Sequence, residues 1–165
     1  MTPVMPLAAL ALAQFDHLGL VVKSLHKGRQ VLAAVHGVND WTQTFTDPVN
    51  GVHILFGRDP AGMVYELLEP IDATSPVYGA MTTRKNLLNH VAYRVHDLAA
   101  STAAMRAAGC APIGKPQTAI AFGNGMVQFF VSPLSTIIEL IEAPGHAHAF
   151  GDHRLAVLPD SSPGP

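Results

Sequence analysis

The sequence predicts an α+β fold of two tandem βαβββ modules closing around one shared metal cleft, and three observations carry that expectation. His17 and Glu66 recur as His90 and Glu139, each 73 residues further along, in a chain of 165 residues. The surroundings recur with them: Asp16-His17-Leu18-Gly19-Leu20-Val21-Val22 parallels Asn89-His90-Val91-Ala92-Tyr93-Arg94-Val95, and Tyr65-Glu66-Leu67-Leu68-Glu69 parallels Ile138-Glu139-Leu140-Ile141-Glu142. Each histidine segment alternates as a strand does and is followed by a helical stripe, so strand and helix appear twice in the same order.

The first module is expected over residues 15–70. Its opening strand, 15–22, carries His17, and Ser24 follows as a helix N-cap whose hydroxyl can accept from free first-turn amides. Leu25, Val31, Leu32 and Val35 form the helical stripe, and Gly37 ends it because glycine enters the left-handed region at little cost. A strand after the Asn50-Gly51 turn and another over 63–68, bearing Glu66, complete the unit.

The second module, 88–144, repeats this plan with Asp97 as the cap, Leu98 and Met105 on the helix, and Gly109 as the stop. Asn124-Gly125 mirrors Asn50-Gly51 at an offset of 74 rather than 73, and the extra residue is expected to be recovered in the turns before the glutamates. Residues 71–87 read as a linker with a short helix near 76–81, and residues 145–165 as a flexible Gly-, His- and Pro-rich tail. Residues 1–14 form an arm. Its apolar run, 5–13, lacks the basic start of a signal peptide, is too short to span a bilayer, and is expected to pack on the body or on a second subunit.

Composition narrows the function classes. A hydrophobic fraction of 48% supports a true core, and 10 Lys+Arg against 12 Asp+Glu, with no basic cluster, argues against a nucleic-acid partner. A single cysteine, Cys110, excludes an intramolecular disulfide framework and suits a cytoplasmic setting, with the thiol acting as a small apolar filler at a helix end. No membrane association is expected.

A carboxylate on an apolar strand is costly to bury without a cation. Glu66 lies between Tyr65 and Leu67 and Glu139 between Ile138 and Leu140, and no Lys or Arg is placed symmetrically near them. Imidazole and carboxylate in matched pairs therefore point to one divalent metal held by His17, Glu66, His90 and Glu139. Glu69 and Glu142 also recur at 73, but they fall on the opposite pleat face and are expected to be solvated at an edge.

These residues resemble the vicinal oxygen chelate (glyoxalase/bleomycin-resistance/dioxygenase) superfamily over about residues 15–143. The match is closest to its methylmalonyl-CoA epimerase-like branch, through residues 15–22, Glu66-Leu67-Leu68-Glu69-Pro70, Ser75-Pro76 and residues 88–98. The resemblance implies a curved mixed sheet around the metal cleft, one dication (Zn, Co, Ni, Mn or Fe) per chain, and a homodimer. Glu66 matches a ligand position where the epimerase often has glutamine and bacterial glyoxalase I has glutamate.

The activity implied is an epimerase or isomerase that abstracts a proton next to a metal-bound carbonyl or carboxylate of a small acid or acyl thioester. His53 and Glu139 are the expected catalytic residues. His53 aligns with the glutamate that the epimerase uses for proton transfer, and its parity, opposite to Val52 and Ile54, is expected to turn it into the cleft. A glyoxalase I-like lyase and a non-catalytic small-molecule binding or resistance protein are the alternatives. An iron-dependent dioxygenase is disfavoured because Glu66 fills a coordination position. Trp41, Phe45, Phe56, Phe122 and Phe129 offer aromatic pocket surface, and Arg58, Arg84, Lys85 and Lys115 offer contacts for a carboxylate or a CoA-like phosphate. His26, His36 and His96 are read as solvated or capping, and His146, His148 and His153 as incidental to the tail.

Overall fold

The computed structural model describes residues 8–151. The elements run β1 (Gln14–Val21), α1 (Leu25–His36), β2 (Asp40–Trp41), β3 (Phe45–Asp47), β4 (Val52–Arg58), β5 (Val64–Pro70), α2 (Tyr78–Thr83), β6 (Leu88–Arg94), α3 (Leu98–Ala107), β7 (Ala111–Ala119), β8 (Gly125–Val131) and β9 (Ile137–Glu142). They build one open, curved nine-stranded mixed sheet in the order β2-β4-β5-β1-β6-β9-β8-β7, with β3 also pairing with β4.

The order reads as two copies of one half-sheet. In each, the first strand pairs in parallel with the last, β1 with β5 and β6 with β9, because an α-helical crossover returns the chain in the same direction. The halves meet through the antiparallel β1–β6 ladder. Gly19 faces Glu66 and Ala92 faces Glu139, so the offset of 73 is preserved in the strand register itself.

The two turns of unequal register correct one expectation. His53 pairs with Glu69 and Met126 with Glu142, again 73 apart, and β4 and β8 end at Arg58 and Val131 at the same offset. The extra residue is therefore absorbed at the Asn-Gly turns that precede β4 and β8, where Gly51 and Asn124 carry the positive φ angles of +69° and +62°, and not in the later turns.

Glu69 and Glu142 are not edge carboxylates. Glu69 accepts from the Leu25 amide at 2.7 Å and Glu142 from the Leu98 amide at 2.5 Å, so each last strand caps the helix of its own module. The first turn of a helix leaves amides unpaired and carries partial positive charge, which a carboxylate on the helix-facing side of the sheet satisfies. Ser24 and Asp97 add caps from the helix side, to Lys27 at 3.5 Å and Ala100 at 2.8 Å.

Both sheet faces are packed. Leu25, Leu32, Trp41, Leu55 and Leu67 fill the helix side of the first half, and Leu98, Met105, Cys110, Phe130 and Leu140 that of the second. Cys110 is thus a buried filler. Ala9, Leu10 and Ala13 of the N-terminal arm pack on the second half's cluster. Val52, Ile54, Phe56, Phe122 and Val127 line the opposite, concave side. Among the described residues, no helix is long and apolar enough to cross a membrane.

Candidate metal centre

Irregular pairing at the centre of the sheet orients the histidines. The β1–β6 register shifts between Phe15 and His17, passing over Asp16, and again between Gly19 and Leu20, passing over Asn89. Such bulges re-aim side chains. Each brings the residue before a histidine alongside its ring: Asp16 Oδ1 lies 2.7 Å from His17 Nδ1, and Asn89 Oδ1 lies 3.0 Å from His90 Nδ1. Both oxygens accept, so each Nδ1 carries a hydrogen and each Nε2, once deprotonated, can offer its lone pair to the interior, as metal-binding histidines must. Asp16 and Asn89 stand 73 apart and were visible in the repeat, but only as context; their function lies in a bulge that pattern does not reveal.

The two Nε2 atoms are 3.1 Å apart, and each lies 3.2–3.4 Å from Glu66 Oε2 and Glu139 Oε2. All four residues are buried, and their ligand atoms lie within 4.8 Å of one another. These separations exceed the 2.7 Å of the Asp16 hydrogen bond. A point equidistant from atoms so spaced is about 2.0–2.3 Å from each, which overlaps the Zn–N and Zn–O range of about 2.0–2.2 Å. Glu139 Oε2 is buried without a hydrogen-bond partner. Four acceptors converging on one point, one of them orphaned, fit a cation.

Electrostatics agree. Burial opposes charge on His17, but the Glu66 charge and hydrogen bonding with Asp16, Glu139 and Glu66 outweigh it and raise its pKa well above 6.5. His90 follows: burial lowers its pKa, and Glu139 and Glu66 raise it further than burial lowers it. Burial would raise the pKa of Glu66, yet the charge and hydrogen bonds of His17 and His90 bring it down to about 2. The cage seeks positive charge, from protons where no metal supplies it.

Among the described residues, the cluster meets a cleft on one side. A cleft of about 270 Å³ exposes His90, Glu66 and Glu139 among apolar walls that include Val52, Ile54, Leu68, Val127 and Phe129. His17 is covered instead, by Phe56 at 5.3 Å and Phe122 at 6.0 Å between ring centroids. Gly19 makes room on the open side, since a Cβ there would lie 2.2 Å from His90 Cε1.

The family model described as Glyoxalase/Bleomycin resistance protein/Dioxygenase superfamily matches residues 16–129. The chain belongs to this superfamily. No curated protein sequence matches it. Among solved structures, a hypothetical protein from Bacillus halodurans is similar at a TM-score of 0.69 and 22% identity, covering 83% of this chain and 99% of its own. Methylmalonyl-CoA epimerase from Mycobacterium tuberculosis has a TM-score of 0.68 at 19% identity, with 84% and 92% covered. A variant of the Streptomyces coelicolor epimerase in complex with 2-nitronate-propionyl-CoA gives 0.64 at 20% identity, with 78% and 92% covered. At these identities the likeness is one of fold.

Within this superfamily fold the other expected site residues divide. His53 does not face the cleft. Val52, Ile54 and Phe56 take the concave face of β4, which leaves His53 with Leu55 on the helix side, paired through Nδ1 with Thr46 Oγ1 at 3.0 Å. The parity assigned to it was right and the faces were exchanged. Of the aromatic candidates, Phe122 and Phe129 line the cleft, whereas Trp41 is core on the helix side. Lys115 lines the cleft; Arg58 instead pairs with Asp40 and lies over Phe150.

The segment after β9 corrects the reading of an incidental tail. Residues 145–151 cross the covered end of the site: Arg94 Nη1 donates to the His146 carbonyl at 2.6 Å, and the Gly151 amide donates to the Trp41 carbonyl at 3.1 Å. His148 packs on Phe56 with ring centroids 4.3 Å apart and reaches Asp16 Oδ1 at 2.7 Å. The one hint in the sequence is the run of imidazoles at 146, 148 and 153; the partner is not legible, since the contact spans 132 residues and the segment has no periodicity. His153 lies outside the described residues.

Proposed function

We propose that the chain is a divalent-metal-dependent epimerase or isomerase that abstracts a proton next to a carbonyl or carboxylate of a small acid or acyl thioester. The observation that carries this reading is the two-His, two-Glu cage opening into an apolar cleft with one carboxylate from each module. His17, Glu66, His90 and Glu139 would hold the metal. When bound, it would polarise a substrate oxygen and stabilise the negative charge that develops on proton loss.

With His53 on the far side of the sheet, the proton falls to the cage itself. Of the carboxylates lining the cleft, Asp47 is engaged by the Asn50 amide at 3.0 Å and by Asn50 Nδ2 at 2.8 Å. Glu66 and Glu139 remain. They come from pseudo-symmetric strands, so an ionised carboxylate of the pair would take the proton at an oxygen not engaged by the metal, and inversion of the carbon requires the other to start protonated and return its own proton to the opposite face. The walls of Val52, Ile54 and Val127 give the cleft an apolar lining beside the two carboxylates. A glyoxalase I-like lyase is the second reading, favoured by a glutamate rather than a glutamine at position 66.

Loss of α-hydrogen to deuterated solvent, followed by NMR on metal-loaded protein with 2-substituted acids, their thioesters and a glutathione hemithioacetal, tests both. Exchange in an acid or thioester supports the isomerase, and turnover of the hemithioacetal supports the lyase. Absence of exchange in every compound would overturn the proton-transfer reading.

A further inference from the structure

We infer that His148 is a positioning residue for the metal centre, acting through the Asp16 carboxylate on His17, so that the C-terminal segment is part of the site. The inference rests on the reading of His17, Glu66, His90 and Glu139 as the metal ligands. Asp16 has its side chain 1% exposed and serves two donors on Oδ1, His17 Nδ1 and His148 Nε2, both at 2.7 Å, while Arg94 Nε forms an ion pair with Oδ2 at 2.8 Å. A carboxylate free to turn could leave the His17 ring; His148, donating to the same Oδ1 that His17 uses, holds that oxygen in place from the other side while the Arg94 charge faces Oδ2. His148 thereby fixes the orientation and tautomer of a ligand it does not touch, as outer-shell partners of metal-bound histidines do.

The pseudo-symmetric half supplies the control. Asn89, the counterpart of Asp16, has His90 as its only side-chain hydrogen-bond partner among the described residues, and it lines the open cleft. A rival use of Asp16, His17 and His148 is as a second cation site, since their ligand atoms also cluster. Arg94 argues against it, because its guanidinium already supplies the positive charge, and separations of 2.7 Å are those of hydrogen bonds rather than of atoms spread around an ion. The ring is also placed for direction as well as bulk. It lies among Phe56, Phe122 and Phe150, at 4.3, 5.5 and 5.8 Å between centroids, with its one polar contact aimed at Asp16.

The test uses the full chain as wild type, His148→Phe and His148→Gln. Phenylalanine keeps the aromatic packing and removes the donor, whereas glutamine keeps a donor. Zn²⁺ affinity is measured by competition with a chromophoric chelator, the visible spectrum of the Co²⁺ form reports ligand geometry, and the melting temperature of the metal-free protein reports folding. The expected result is an affinity loss of about 10–100-fold for His148→Phe with an altered Co²⁺ spectrum, near-wild-type values for His148→Gln, and similar metal-free melting temperatures. Wild-type affinity and spectrum in His148→Phe would overturn the positioning role alone. Equal losses in both variants with a lowered melting temperature would also overturn it, showing that the segment acts by packing. Absence of metal binding in the wild type would overturn the ligand reading, and this inference with it.

Discussion

The two halves of the candidate metal centre carry the same His and Glu side chains on the same register yet surround them differently. In the first half, His17 leans on a charged Asp16 that is buried and held by two imidazoles and the Arg94 charge, beneath Phe56, Phe122 and the C-terminal segment. In the second, His90 leans on a neutral Asn89, lies over Gly19, and faces the cleft. Repetition built the cage; divergence made one half an anchor and the other a mouth. On the proposed reading, the negative partner would make His17 the more basic metal ligand, whereas the neutral amide would leave His90 less electron-rich.

The largest break in this comparison comes from Gly19→Ala. Its Cβ would fall within 2.5 Å of three atoms of the His90 ring, so the ring must leave and bound metal, read by elemental analysis, falls well below one ion per chain. The counterpart change, Ala92→Gly, removes a buried methyl beside His17 and is expected to leave stoichiometry intact while costing about 1 kcal/mol in a strand.

Asp16→Asn and Asn89→Ala sharpen the contrast. The first leaves Arg94 and His148 facing a neutral amide and should weaken Zn²⁺ by about 10–100-fold; the second, on the exposed side, should weaken it by only a few-fold. Equal effects would dissolve the distinction between anchor and mouth.

pH acts next. Without metal, His17 and His90 have raised pKa values, so their contribution to stability is complete below about 6.5 and is lost as pH climbs through the raised values. Glu66, lowered to about 2, contributes above about 4.5 and is lost only as pH falls toward 2. The metal-free protein should therefore soften on the alkaline side. Metal reverses the trend, because it requires neutral imidazoles, so the rise in melting temperature on adding Zn²⁺ should grow from about pH 6 to about pH 8. A rise independent of pH would contradict the histidine assignment.

The smallest effect lies where the halves agree. Glu69→Gln and Glu142→Gln each weaken a charged cap at a helix N-terminus, and each should lower stability by about 0.5–1 kcal/mol in urea titrations, with metal binding unaltered. A clear difference between the two would show that symmetry ends outside the cage.

The two repeated modules and the meeting of His17, Glu66, His90 and Glu139 were legible in the sequence because a register offset survives folding: residues 73 apart in the chain occupy equivalent rungs. The face of β4 was not legible, because alternation separates His53 from Val52 and Ile54 without saying which set meets the cleft, and both sides of the strand are apolar and packed. Asp16 and Asn89 escaped notice because a bulge, not alternation, directs them. His148 escaped because its partner is reached only after the whole sheet has formed. Local pattern records the repeat and is blind to contacts that closure creates.

The central claim, one metal held jointly by both halves, is tested most directly by metal content on untagged protein purified without added metal or reconstituted with Zn, Co, Ni, Mn or Fe, comparing wild type with His90→Ala and Glu139→Ala. The account predicts one dication per chain in the wild type and its loss in both variants. Wild-type protein that takes up no metal under any of these conditions, or variants that retain it in full, would contradict the shared site.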